Sequence, residues 1–269
     1  MRGDADLFDL AGEVVLVTGG GGILGTRFAE ALARQGARVA VVDRDRDRAQ
    51  TAAELASGGG AREVRAYQAD VSEAVSLRTL RQAVERDLGA VSVLVNNAAT
   101  KTEHFFEPFE TFPLKDWQEV LAVNTTGAML ACQEFGPEMA KRRRGSIINI
   151  LSIYGIVAPD QRIYEGAVYE GRPINTPAVY SVSKAALLGL TRYLATYWAT
   201  QGVRVNAITP GGVFSGQNET FVERYSARVP MGRMARADEL CGALIFLASS
   251  ASSYVTGQNI VVDGGLTVW

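Results

Sequence analysis

The chain has 269 residues, 47% of them hydrophobic, and a formal net charge of −2. A pI near 5.6 leaves no basic footprint for nucleic acid. One histidine, His104, excludes a multi-histidine metal cluster, and no apolar run approaches membrane-spanning length.

Residues 1–10 are acidic and lack an apolar core, so they do not read as a signal peptide. The two cysteines, Cys132 and Cys241, are far apart and fit reduced thiols rather than a disulfide scaffold. The expectation is a cytoplasmic protein with no metal. Val14 to Val17 is a continuous apolar run, the pattern of a strand buried on both faces. Thr18-Gly19-Gly20-Gly21-Gly22-Ile23-Leu24-Gly25 follows, then a helical pattern from Thr26 to Gln35 and a second strand at Arg38 to Val42. This is a βαβ unit with a glycine-rich turn opening its helix. Glycines let backbone approach a pyrophosphate, and a helix N-terminus offers N–H groups and a positive dipole end. The alternative, a tight connection without a ligand, is disfavoured by the strand–turn–helix context.

Asp43 closes the second strand. A carboxylate there accepts hydrogen bonds from ribose hydroxyls and repels a 2′-phosphate, which favours NAD over NADP. Arg44 points the other way, because an arginine can accommodate that phosphate; its alternative is a solvated helix start. The third strand is expected at Arg65 to Ala69, ended by Asp70-Val71, with Ser72 capping a helix that runs to about Asp87. Val91 to Val95 is the fourth strand, ended by Asn96-Asn97-Ala98-Ala99. Residues 101–113 read as loop and 114–142 as one long helix carrying Asn124. The run Lys141-Arg142-Arg143-Arg144 reads as a solvated helix end, with a phosphate site as the alternative. Ser146 to Leu151 is the fifth strand.

The segment 155–177 has no clear period and reads as an insertion or lid. Arg162, Tyr164, Glu165, Tyr169, Glu170, Arg172 and Asn175 give it many hydrogen-bonding groups, suited to a polyhydroxylated substrate. Its alternative is a solvated or subunit-contacting loop. Tyr180 and Lys184 follow, four positions apart on one helical face. A nearby ammonium lowers a phenol from its usual pKa of about 10, making the tyrosine a usable acid/base. The bland reading is an amphipathic helix with a solvated lysine. A sixth strand is expected at Val203 to Ile208, a break at Pro210-Gly211-Gly212, helices at 217–228 and 238–249, and a last strand at Asn259 to Val262. Strands alternating with helices throughout specify one α/β domain with a doubly wound parallel sheet. Gly19, Asp43, Asp70, Asn96, Ser152 and Pro210 all fall at carboxyl ends of strands, where such sheets bind ligands.

Thr18-Gly19…Gly25, Asp70-Val71, Asn96-Asn97-Ala98, Asn124, Ser152, Tyr180-x-x-x-Lys184 and Pro210-Gly211 together resemble the short-chain dehydrogenase/reductase family over nearly the whole chain. The resemblance implies a Rossmann-type fold and reversible hydride transfer between nicotinamide and an alcohol/ketone pair. It implies Tyr180 as acid/base, Lys184 lowering its pKa and holding the nicotinamide ribose, Ser152 bonding the reacting oxygen, and Asn124 holding a relay water. It implies cofactor contacts at Gly19, Gly22, Ile23, Leu24, Gly25, Asp43, Arg44, Asp70, Val71, Asn97, Ala98, Ala99, Tyr180, Lys184, Pro210, Gly211 and Val213, and a homotetramer. Tyr154, Arg162 and Tyr164 are the substrate candidates. The chain departs from the family at Ile23, which stands where the middle glycine is usual, and in the long segment between Ser152 and Tyr180. That segment resembles a narrower branch associated with flagellin-glycan and nonulosonic-acid sugar pathways. The function implied is an NAD(H)-dependent oxidoreductase acting on a secondary hydroxyl of a sugar, sugar phosphate or nucleotide-sugar-like polyol. The alternatives are a 3-oxoacyl thioester reductase and a non-catalytic dinucleotide-binding sensor.

Overall fold

The computed structural model describes residues 7–58, 63–169 and 171–269. Seven parallel strands form one sheet: β1 (Val14–Thr18), β2 (Arg38–Asp43), β3 (Glu63–Gln68), β4 (Val93–Asn96), β5 (Gly145–Ile150), β8 (Val203–Pro210) and β9 (Asn259–Val262). Their order is β3-β2-β1-β4-β5-β8-β9, so the winding reverses between β1 and β4. A two-stranded antiparallel hairpin, β6 (Val168–Tyr169) and β7 (Arg172–Pro173), stands apart from the sheet.

Alternate residues of each strand enter different layers. Val15 and Val17 of β1 pack with α1 (Ile23–Arg34), α2 (Arg46–Ser57) and α8 (Cys241–Ala248) through Phe28, Leu32, Ala49, Leu244 and Leu247. Val14 and Leu16 pack on the other side with α3 (Ala74–Asp87), α5 (Gly127–Lys141) and α6 (Ala178–Trp198), through Leu77, Leu80, Phe135, Met139 and Trp198. Because both faces are covered at the centre of the sheet, β1 and β4 are buried at every position and read as nearly unbroken Val/Leu runs, while the edge strand β3 is only partly buried and mixes in charged residues. Close packing also explains single residues: a Cβ on Gly136 would enter the ring of Trp198, so α5 and α6 meet there.

Three expectations change. Ser72 does not cap α3: its hydroxyl and amide both donate to Asp70 Oδ1, at 2.6 and 2.8 Å, and Glu73 takes the cap position without a side-chain bond. The long helix is three pieces, α4 (Leu114–Leu121), a π-helical turn at Ala122–Thr126, and α5. Such turns rotate the register of the helix beyond them, and this one carries Asn124. On helix α6, Leu194 and Trp198 belong to the core of this chain, and Leu188 and Leu190 pack partly against it. The segment 155–177 is also not featureless: it holds short 3₁₀ turns and the β6–β7 hairpin. Glu170 and the side chain of Tyr169 lie outside the described residues.

Candidate active site

At the reversal between β1 and β4 the two strand ends splay apart, and the glycine-rich turn fills the gap. Gly19 has φ +61°, and a Cβ there would press on the backbone of Ala98. Asn97 fixes the turn, donating from its side-chain amide to the carbonyls of Thr18 and Gly19, both at 3.0 Å. Thr18 Oγ1 accepts from the amides of Asn97 and Ala98 at 3.1 Å. A Cβ on Gly25 would collide with the carbonyl of Gly19, so the first turn of α1 lies directly on the loop. Gly22 takes the cap position of α1 with no side chain bonded to it, and no acidic residue occupies its first turn. This leaves the positive end of the helix open beside the loop. Ile23, where the family has glycine, starts the helix with its side chain 58% exposed, so the substitution adds surface without blocking the turn.

Asp43, at the end of β2, faces this loop. Its Oδ2 accepts from the Gly21 amide and its Oδ1 from the Asp45 amide, each at 3.1 Å. Arg44 is exposed beside it, and Arg48 reaches the Gly21 carbonyl at 3.2 Å. Asp70 holds the β3–α3 loop by accepting from Ser72 and by donating from its own amide to Ser76 Oγ at 3.0 Å. Val71 is buried against Gly127.

A cavity of about 460 Å³ opens beyond β4, β5 and β8. Ile23, Leu24, Asn97, Ala99, Ser152, Tyr180, Lys184, Pro210, Gly211 and Val213, all expected at the site, line it. Gly19, Gly22, Gly25, Asp43, Arg44, Asp70, Val71 and Ala98 do not; they surround the loop at its β1–β2–β3 side. Ser152 follows β5 directly, and its hydroxyl hydrogen-bonds the Tyr180 phenol. Burial pushes the Tyr180 pKa up, the Ser152 bond offsets part of that rise, and the nearby ionisable Tyr164 hydroxyl adds to it. Lys184 is buried, and its Nζ donates to the Ile150 carbonyl at 2.8 Å. It lies 5.9 Å from the centre of the Tyr180 ring. The amine is directed at the end of β5. Burial brings Lys184 down to about 8.

Asn124 is buried. Its Oδ1 accepts from the Thr100 amide at 2.9 Å and its Nδ2 donates to Ser183 Oγ at 3.1 Å. Both ends of the amide are engaged, so this side chain joins the β4 loop to α6.

The substrate candidates divide. Tyr154 and Tyr164 line the cavity, and their hydroxyls form a chain: Tyr164 donates to Tyr154 at 3.2 Å and shares a 2.5 Å bond with Thr176 Oγ1. Arg162 does not line it. Its guanidinium is 85% exposed and pairs with Asp160 at 2.8 Å, because Asp160 caps the short turn in which Arg162 sits. Sequence reasoning missed Phe105, Phe106, Thr176, Phe221, Tyr225 and Met234, which supply much of the wall. Their one signal was the helix near 217–228, which is α7 (Glu219–Ser226) and carries Phe221 and Tyr225 inward.

A family model described as enoyl-(acyl carrier protein) reductase matches residues 22–267. D-threitol dehydrogenase of Mycolicibacterium smegmatis is 35% identical over 267 residues, covering 97% of this chain and 95% of that protein. A crystal structure of a gluconate 5-dehydrogenase from Burkholderia cenocepacia, in complex with NADP and tartrate, is 34% identical with a TM-score of 0.84 and covers 98% of both chains. A short-chain dehydrogenase from Leptospira borgpetersenii with bound NAD+ is 32% identical with a TM-score of 0.85, covering 100% of this chain and 97% of that one.

The buried lysine generates a test that needs no substrate. Its pKa is lowered on folding, so between about 8 and 10.5 the unfolded chain binds more protons than the folded one, and stability rises with pH across that window. Lys184→Met should remove this dependence, by up to about 1.4 kcal/mol per pH unit. Unfolding in urea at pH 7.5 and pH 10 checks it; parallel slopes in both proteins would refute the burial of a titrating amine.

The fold, the glycine-rich turn at the strand reversal, the Ser–Tyr–Lys cluster and these likenesses lead to one conclusion: the chain belongs to the short-chain dehydrogenase/reductase family.

Proposed function

We propose that the protein interconverts a secondary hydroxyl and a ketone on a small polyol or sugar-like substrate, with NAD(H) as the redox partner. The hydrogen bond between Ser152 and the half-buried Tyr180 phenol, in a cavity shared with Lys184, carries this reading. Tyr180 moves the proton to or from the substrate oxygen, and Ser152 bonds that oxygen and holds the phenol in place. Lys184 puts positive charge behind the phenol and favours its ionised form once the two approach. Asn124 is a positioning residue, acting through Thr100 and Ser183.

The glycine turn, the open end of α1 and the Asp43 carboxylate fit a dinucleotide: Gly19, Gly22, Ile23, Leu24 and Gly25 would hold its pyrophosphate and Asp43 a ribose. Asp70, Val71, Asn97, Ala98, Ala99, Pro210, Gly211 and Val213 would complete the groove. Bound there, a nicotinamide supplies or accepts the hydride. The relatives include structures with NADP and with NAD+. Asp43 favours NAD here, since its charge repels a 2′-phosphate and both its oxygens are fixed by backbone amides. D-threitol and gluconate, named for two relatives, support a polyol substrate, and the tyrosine hydroxyl chain suits one. This support does not depend on the flagellin-glycan branch.

A second reading, an acyl thioester reductase, is favoured by one observation: Phe105, Phe106, Ile153, Ile174, Phe221 and Met234 make the rest of the wall apolar. The segment 155–177 is proposed as a substrate wall within a single domain. A homotetramer and a cytoplasmic location are proposed as well. The exposed Tyr193 and Tyr197 rings, stacked 5.8 Å apart on α6, support the first. Two buried free thiols support the second, and no helix among the described residues is long and apolar enough to cross a membrane.

A panel of tetritols, pentitols, aldonates, sugar phosphates and 3-oxoacyl thioesters, followed by nicotinamide absorbance with both cofactors, decides between the readings. With the substrate it finds, Tyr180→Phe should lower kcat by about 10²–10⁴ while NADH still binds; near-normal turnover would remove Tyr180 from the chemistry. Tyr164→Phe should raise KM, and Arg162→Ala should leave it unchanged. Asp43→Ala should weaken NAD binding and narrow the gap to NADP, read by fluorescence titration. A wild-type protein that already prefers NADPH would overturn the role given to Asp43.

A further inference from the structure

Helix α5 ends in the run Lys141-Arg142-Arg143-Arg144, at the edge of the sheet where the strands begin. The helix closes with paired bonds, Arg143 N–H to the Ala140 carbonyl at 3.0 Å and Arg144 N–H to the Met139 carbonyl at 3.1 Å. In that arrangement the residue after the cap takes a left-handed backbone, and glycine is the usual occupant. Here it is Arg143, with φ +53°, the one non-glycine residue of positive φ among the described residues. Its carbonyl packs on Gly202, where a Cβ would collide with it. The chain keeps a long cationic side chain where a glycine would be less strained, and such outliers gather at functional positions.

Arg143 borders a cavity of about 620 Å³ that also meets Arg144, Arg204, Ser249, Ser253 and Tyr254. Arg204 comes from the second position of β8. Among the described residues it has no ion pair: its guanidinium donates to Ser252 Oγ at 2.7 Å and to the carbonyls of Leu247, Ser249 and Val255 at 2.9, 3.3 and 3.5 Å. Burial lowers its pKa, and the nearby Glu13 carboxylate offsets part of that fall. Glu13 is the acid lining the cavity, and it is paired with Arg144. Three guanidiniums therefore face one carboxylate. Arg143 spends one amino group on the Thr200 carbonyl at 3.0 Å. Guanidinium forks match phosphate oxygens, the volume is that of a small-molecule site, and the fully exposed Tyr254 ring offers a flat apolar surface at its rim.

We infer that this cavity is a second ligand site, which binds a phosphate-bearing small molecule through Arg143 and Arg144, with Arg204 adding charge while held by the chain's own carbonyls, at the end of the sheet opposite the catalytic cavity. The six residues of β5 separate the two, a span of about 20 Å. The site is independent of the proposed reaction and takes no part in it.

The test is isothermal titration of the full chain with inorganic pyrophosphate at constant ionic strength, with saturating NADH present to occupy the glycine turn. Wild type should show a binding event that Arg143→Gly weakens about ten-fold or more, the loss expected for a charge-assisted contact. The same variant should melt at or above the wild-type temperature, because glycine relieves the left-handed backbone. Arg144→Gln should weaken binding too and serves as a second variant. Wild-type affinity in both variants, or no binding event in the wild type once NADH is bound, overturns the inference.

Discussion

One buried ammonium ties the catalytic side of the molecule together. Lys184 has left water for a position where its one hydrogen-bond acceptor among the described residues is the last carbonyl of β5. Removing a charge from water is costly, and a single carbonyl offsets only part of that cost, which is why its pKa falls. The bond clamps the first turns of α6 to the end of β5. Tyr180, one turn earlier on the same face of α6, is thereby set against Ser152, two residues beyond Ile150. The lysine fixes geometry before it does any electrostatic work on the phenol.

The parallel sheet was legible because its strands are buried on both faces, and burial writes itself into sequence as unbroken apolar runs. β9 was placed to the residue, and the other sheet strands shifted by no more than two residues at either end. The cluster of functional side chains was legible for a related reason: parallel strands deliver all their carboxyl ends to one edge, so order along the chain becomes neighbourhood in space. What failed were local choices that depend on tertiary partners. Ser72 had a cap signature, but Asp70 offered its hydroxyl a stronger acceptor. The π-helical turn at Asn124 has no signature in hydrophobic period, since one extra residue in a turn barely disturbs it. It exists where Thr100 and Ser183 grip the Asn124 amide from two sides.

The substrate wall shows the limit most clearly. Counting polar groups in 155–177 gave Arg162 and Tyr164 equal standing, yet one faces solvent and the other the cavity. The difference lies in Asp160, whose carboxylate bonds Arg162 and also Arg228 at 2.8 Å, a residue far along the chain just after α7. Sequence does not show that α7 lies over the insertion. Once it does, Tyr164 stacks on Phe221 with ring centres 5.3 Å apart, and its hydroxyl turns to Tyr154 and Thr176.

These contacts give the wall a hydrophobic cluster of its own. Ile153, Ile163, Ala167, Phe221, Tyr225, Val229 and Met234 pack together, separate from the two cores that flank the sheet. A satellite cluster of this size stabilises less than a sheet core does, so the wall belongs to the part of the fold that opens at lower free energy. The proton-handling groups belong to the other part, anchored on β5 and α6. Ser152 joins the two, since its hydroxyl bonds the phenol of Tyr180 and also accepts from the Tyr154 amide at 3.3 Å. A substrate that reorders the wall therefore acts on the catalytic pair through a single residue, and the wall can vary to suit other hydroxyl compounds while the sheet keeps the chemistry fixed.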